Sequence, residues 1–380
     1  MAQHSTGGRA GACTDTARWA APVSDGKRTT LEPPRDPAIS GMRGRQPGVA
    51  TVGARIGALR PPPSHSTDLS GTLRQMPIAL PLDAHLHTDL SPDADVPLDA
   101  YAALARDQGV TELAVTDHID FVAGDPAFRY ATYDQRARLV HDAAERWAGE
   151  PAIRLGLEVT YEQGVQDEIA AYLSHHAYDY VIGSVHMSSR GPFRNPATAA
   201  AWCAGRTPRE ATAFYFEEVE RAIRSGLFDT IGHLDFVKRY IHPYLGAFEY
   251  EPHADIYDRL LRALIETGTA LEVNASGLRQ EPGEPYPAPV VVARFRELGG
   301  ERIVAGSDAH RIEHFAFGLP DVYRTIGRAG FRELAFRRGG GREAVKLSTE
   351  LVTALLGARG AGEGRLRDNP PDVRVEGDDA

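Results

Sequence analysis

The stretch PIALPLDAHLHTDLSPDAD, residues 77–95, begins as a short apolar run and then sets His85 and His87 one residue apart, with Asp83, Asp89, Asp93 and Asp95 around them. In an extended strand residues i and i+2 point to the same side, so the two imidazoles share one cavity; a helix would splay them apart. The stretch therefore reads as a strand that delivers metal-friendly side chains at its C-terminal end. Six more apolar runs of strand length follow: ELAVTDH, IRLGLE, DYVIGSVH, DTIGHLD, ALEVN and RIVAGSDAH. Segments of helical period lie between them, including 98–109, 209–226 and 254–268, each closing on the Gly expected just past a helix C-terminus. Such alternation predicts a parallel sheet with crossover helices, an α/β fold.

Six of the seven runs end in a possible ligand: His85 with His87, His118, Glu158, His186, His233, and Asp308 with His310; the seventh ends in Asn274. In a closed parallel barrel every strand C-terminus opens on one face, so residues spread along the chain would converge there. A lone His at a strand end is more often a hydrogen-bonded structural residue, and it is the repetition that points to a metal site. His4, His65, His141, His175, His176, His242, His253 and His314 fall in tails, helices or loops and read as surface residues.

The chain has 380 residues, 42% hydrophobic and 25% charged, a globular composition. No apolar stretch reaches the roughly 18 to 20 residues that a membrane span needs, so no membrane partner is expected. Two cysteines, Cys13 and Cys203, lie far apart, which argues against a disulfide framework or a thiolate zinc site and is in keeping with the cytoplasm. Residues 1–76 are rich in Gly, Pro, Ser, Thr and Arg and are expected to be a disordered extension; 77–358 form the barrel, and 359–380 a solvated tail. The first 76 residues carry ten Lys/Arg against five Asp/Glu, leaving 32 against 47 and a net charge near -15 in the remainder. With no basic stripe and an acidic body, nucleic acid is not an expected partner.

The ordered set DAHLHTDLSPDA, VTDH, GLE, IGSVH, IGHLD and GSDAH resembles the PHP (polymerase and histidinol phosphatase) domain family. GLEVTYEQG, SGLFDTIGHLDFVKRY, LEVNASGLRQEPGEPYPAPVVVARFRELG and IVAGSDAH resemble its histidinol-phosphatase branch in particular, and the likeness covers about residues 78 to 335. The resemblance implies a distorted seven-stranded TIM-like (β/α)7 barrel with a centre of two to three divalent ions, Zn, Mn or Fe. It implies a first metal held by His85, His87, Glu158 and Asp308. Glu158 would bridge to a second metal on His186 and His233, and a third would sit on Asp93, His118 and His310. Asp89 and Asp95 compete with Asp93 for that place. Otherwise they, with Asp83, read as caps, turn formers or supporting partners.

The activity implied is hydrolysis of a small phosphate monoester, L-histidinol phosphate, to L-histidinol and phosphate in histidine biosynthesis, with a metal-bridging hydroxide attacking phosphorus. Glu158 and Asp308 would carry the catalytic centre. Asp117 would support it through hydrogen bonds, and Asp235 would do the same or protonate the leaving group. For the phosphate dianion Arg279, in SGLRQ, is the first candidate, then Lys238 and Arg239, then Arg190 and Arg194; for these last four a solvated surface charge is the commoner reading. Phe121, Tyr161, Phe193 and Tyr286 could line a pocket but read more readily as packing residues. MSSRGPFRNPATAAAW, 187–202, departs from the acidic, aromatic loop expected for a histidinol-phosphate pocket. It keeps open another small phosphate ester or a nucleotide as substrate. An amidohydrolase-like reaction is a further alternative, against which the trio Asp93, His118 and His310 discriminates. A metal-stabilised binding module would not need open coordination positions.

Overall fold

The computed structural model describes residues 79–186, 192–338 and 341–357. The expected extension at 1–76 and tail at 359–380, with His4, His65, Cys13 and Arg190, lie outside them. Eight parallel strands form one sheet: β1 (Asp83–Leu86), β2 (Glu112–Val115), β3 (His118–Ile119), β4 (Ala152–Thr160), β5 (Tyr180–Ser184), β6 (Thr230–Ile231), β7 (Ala270–Asn274) and β8 (Ile303–Gly306). Their order is β1-β2-β4-β5-β6-β7-β8, with β3 resuming the β2 run alongside β4. The sheet curves back on itself where Leu86 bridges to Ala309 and the Asp308 N–H donates to the His85 carbonyl at 2.8 Å. The result is a nearly closed seven-stranded (β/α) barrel of TIM-like type, its strands following the sequence runs in order.

Strands β1, β2, β5, β7 and β8 are buried at every position, because helices cover the outside of the barrel while side chains fill the inside. The helix Pro208–Ser225 starts on a capping box between Thr207 and Glu210, carries Pro in its first turn and stops at Gly226 in the left-handed region. The helix Ala254–Thr267 lays Ile256, Tyr257, Leu260, Leu261 and Leu264 onto the sheet, the stripe its 3.6-residue period demands. Several ligand-type residues fall just beyond the paired strands rather than within them. His233 and Asp308 there have positive φ, 22° and 56°, which an extended ladder cannot accommodate.

An antiparallel hairpin, β9 (Glu333–Arg338) and β10 (Gly341–Lys346), was not anticipated. Its signal was the glycine run 339–341 between segments of alternating polarity. Leu334 and Phe336 are buried, and Phe336 packs 4.9 Å from Tyr180, at the start of β5, so the hairpin covers the N-terminal end of the barrel. No helix among the described residues is long and apolar enough to cross a membrane.

Candidate metal centre

At the C-terminal end of the barrel the side chains converge on Glu158, which is buried near the end of β4. Its Oε2 lies 3.2 Å from His85 Nε2, 3.3 Å from His87 Nε2 and 2.9 Å from His118 Nδ1. Its Oε1 lies 3.0 Å from His233 Nε2 and 3.3 Å from His186 Nε2. Asp308 Oδ1 closes the first group at 3.7 Å from His85 Nε2 and 3.5 Å from His87 Nε2. A third group adjoins it: His118 Nε2 and His310 Nε2 are 3.3 Å apart, and Asp93 Oδ2 is 3.5 and 3.3 Å from them. All nine ligand candidates read from the sequence are thus brought together, but as one continuous cluster rather than three separate sets: His118 reaches Glu158 as well as Asp93 and His310, and His87 lies with both His118 and His310. Asp93 lies beside His118 and His310, although it is exposed to solvent, as are Asp89 and Asp95.

These distances suit a shared cation better than hydrogen bonding. His85 Nε2 and His87 Nε2 stand 3.1 Å apart, ring nitrogen to ring nitrogen, and both face carboxylate oxygens. Glu158 Oε2 is buried, has three imidazole nitrogens within ion-pair reach, and yet has no hydrogen-bond partner among the described residues. Donor atoms aimed at one point, rather than at each other, are the arrangement that coordination requires. Imidazole and carboxylate without thiolate fit Zn, Mn or Fe, and a carboxylate with imidazoles on both oxygens fits a bridge.

The electrostatics are those of a cluster under strain. Burial opposes ionisation of Glu158, but the imidazoles of His85, His118 and His186 overcome it and hold the carboxyl well below its usual range. Burial likewise opposes charge on His85, and Glu272, Glu158 and Asp308 overcome it, raising that imidazole well above its ordinary value. His118 is raised against burial by Asp93 and Glu158. His87 goes the other way, pushed well down by burial and by His310 and His118. Asp308 is held low against burial by His85, His87 and His310.

The supporting residues are resolved as well. Asp117 accepts from the Thr88 N–H at 2.7 Å, the Thr88 hydroxyl at 2.8 Å and the Ser91 hydroxyl at 3.0 Å, bracing the loop that carries Asp93. Asp83 Oδ1 receives the Ser307 N–H at 2.8 Å, and burial pushes its carboxyl up to about 6. Asp235 accepts from Tyr257 Oη at 2.7 Å and faces Lys238 Nζ at 2.8 Å, a bracing geometry. Arg279 spends two N–H groups on the carbonyls of Ser307 and Asp308, holding the positive-φ turn from behind. Arg239 is exposed, 5.5 Å over the Phe236 ring, and Phe236 in turn packs on His186 and His233.

Three sequence expectations need correction or addition. Lys238 is not a solvated charge: it is 3% exposed between Asp235 and Glu284, the latter at 2.6 Å, and the Asp235 spacing of i,i+3 was the available signal. His253 is not a surface residue but is buried, stacked 3.7 Å from Phe248. Glu272, which no sequence motif marks, lies buried beneath the cluster, 2.6 Å from His85 Nδ1, two residues before Asn274 and so on the same side of β7. Tyr161, Phe193 and Tyr286 are buried packing residues, as their size suggested.

Fold and side chains together define a metal-hydrolase type of barrel, with imidazoles and carboxylates gathered at its C-terminal mouth. The PHP domain matches residues 83–276. The "Probable histidinol-phosphatase" of Deinococcus radiodurans is 33% identical over 264 residues, covering 67% of this chain and 96% of its own length. That of Thermotoga maritima is 26% identical over 258 residues, with coverage of 67% and 94%. The crystal structure of histidinol phosphate phosphatase from Lactococcus lactis, complexed with zinc, L-histidinol and phosphate, shares the fold with a TM-score of 0.60 at 23% identity, over 69% of this chain and 98% of its own. The chain belongs to the PHP domain family, in its histidinol-phosphatase branch.

Proposed function

We propose that the protein is a metal-dependent phosphomonoesterase that hydrolyses L-histidinol phosphate to L-histidinol and phosphate, as a cytoplasmic step of histidine biosynthesis. One observation carries the reading: both oxygens of Glu158 are shared between two imidazole sets, and a third set, Asp93, His118 and His310, adjoins them. That third set favours phosphoryl chemistry over an amidohydrolase-like reaction, which needs only the first two. The relatives from Deinococcus and Thermotoga, and the histidinol and phosphate in the Lactococcus complex, support the choice of substrate.

The first set is His85, His87, Glu158 and Asp308, the second His186, His233 and Glu158, the third Asp93, His118 and His310. Bound divalent ions would supply the lowered water pKa and the clamp on phosphoryl oxygens that in-line displacement requires. The protein's own share is to hold the ester in place. Arg239, exposed over the Phe236 ring that packs on the imidazoles of the second set, would offer a planar fork to the phosphate dianion. Arg279 adds charge from behind while fixing the Ser307 and Asp308 carbonyls. Asp117 fixes the Asp93 loop, and Asp235, bound to Tyr257 and Lys238, stiffens the turn that carries His233.

The test is phosphate release from L-histidinol phosphate beside sugar phosphates, nucleotides and p-nitrophenyl phosphate. Selective turnover of histidinol phosphate is expected. Equal, slow release from every ester would discard the substrate and turn attention to the divergent sequence at 187–202.

A further inference from the structure

We propose that Glu272 is a positioning residue that sets two of the metal subsites at once, an inference that rests on the metal-centre reading above. β7 supplies no ligand candidate, yet Glu272 in its middle is fully buried. Its Oε1 lies 2.6 Å from His85 Nδ1. Its Oε2 receives the backbone N–H of His233 at 2.7 Å and the side-chain amide of Asn274 at 3.0 Å. His85 belongs to the first set and His233 to the second, so one carboxylate touches both.

Each contact has a distinct consequence. A carboxylate at Nδ1 places the proton there, which leaves the Nε2 lone pair of His85 pointing at Glu158, His87 and Asp308. The contact to the His233 N–H holds a residue whose φ of 22° is costly, and that backbone aims His233 Nε2 at Glu158 Oε1, 3.0 Å away. Space for the carboxylate is kept by Gly306 of GSDAH: a Cβ there would come within 2.5 Å of both Glu272 Oε1 and the His85 Cβ. A glutamine at 272 would fill the same volume with only one acceptor oxygen. Both His85 Nδ1–H and the His233 N–H demand an acceptor, so a glutamine sets a donor against a donor at one of them.

The experiment uses the full chain, stripped with a chelator and titrated with Zn²⁺ or Mn²⁺, with bound metal counted and affinities read by calorimetry. Glu272→Gln is expected to keep the wild-type circular dichroism and to weaken uptake at two subsites by about 10- to 100-fold. The Asp93, His118 and His310 subsite should be spared. In the ¹⁵N spectrum of the metal-loaded chain, where the second proton of His85 has been displaced, its Nδ1-protonated form should give way to a mixture. Leu271→Ala, one residue away on the opposite side of the strand, should lower thermal stability and leave metal uptake alone, which separates positioning from packing. If Glu272→Gln does not fold, Glu272→Asp keeps the charge but is one methylene too short to span both partners, and it should lose affinity in at least one subsite. Wild-type uptake in the folded variant overturns the proposal. A wild-type chain that takes up no metal overturns the metal-centre reading and the proposal with it.

Discussion

The two ends of the barrel are built on opposite principles. At the N-terminal end Phe336 of the hairpin packs on Tyr180, and the Tyr323 hydroxyl both receives the Leu82 N–H at 3.1 Å and donates to its carbonyl at 2.6 Å. Apolar area is removed from water there, and the Leu82 peptide groups are paired with Tyr323, although the buried Tyr180 hydroxyl has no hydrogen-bond partner among the described residues. At the C-terminal end nine titratable groups crowd together, His87 is pushed well down by burial and by His310 and His118, Glu158 Oε2 has no hydrogen bond among the described residues, and two candidate ligand positions have positive φ. Burying such groups is costly on its own. The difference teaches that stability is made at one end and spent on preorganised charge at the other, an arrangement typical of strained functional sites.

The comparison can be broken hardest at Glu158. Glu158→Gln should lower kcat/KM by on the order of 10³-fold or more, beyond the ~10- to 100-fold typical of partners outside the ligand shell, while the fold stays intact by circular dichroism. Near-wild-type turnover with full metal content would remove the bridging role. The opposite end should respond in the opposite way. Phe336→Ala is expected to cost about 3–5 kcal/mol of stability in denaturant titration while leaving turnover per folded, metal-loaded chain unchanged.

Two smaller effects sharpen the picture of the mouth. Arg239→Ala should reduce kcat/KM for a phosphate monoester by roughly 10- to 100-fold, the value of one or two charge-assisted hydrogen bonds, without changing metal content. Arg239→Lys should recover only part of it, since an ammonium lacks the bidentate fork. The pH dependence has a definite sign. In the metal-free chain His85 and His118 hold protons well above the ordinary imidazole range, because their carboxylate partners overcome burial. Metal must displace those protons, so uptake strengthens as pH rises, by about tenfold per unit for each proton displaced. The metal-free fold runs the other way in this range. The raised imidazoles stabilise it below their unfolded value of about 6.5, and that contribution is lost as pH climbs through the folded values. Calorimetric metal titrations and thermal melts between pH 6 and 9 would read both slopes.

Most of the clustered side chains were legible because metal ligation draws on few residue types and a strand end aims them predictably. His85 and His87 illustrate this, since two residues of spacing and an apolar run before them fix their shared direction. What was not legible is what depends on burial. Lys238 looks like a surface charge until the fold sets Asp235 and Glu284 against it. Arg136 lies in an otherwise ordinary amphipathic helix, yet it is buried and donates to the His118 carbonyl at 2.6 Å, a support for the third set that no local pattern marks. Glu272 was hidden because ALEVN draws the eye to its terminal Asn, although residues 272 and 274 share a side by simple alternation. The hairpin was hidden because its strands add no ligand and leave the βα rhythm.

The most direct test of the central claim is to strip the protein of metal and return Zn²⁺ or Mn²⁺ stepwise, counting ions bound per chain while following phosphate release from L-histidinol phosphate. The account predicts no turnover in the stripped protein and its return only as more than one ion is bound per chain. Turnover that survives stripping, or full turnover with a single ion bound, would contradict it.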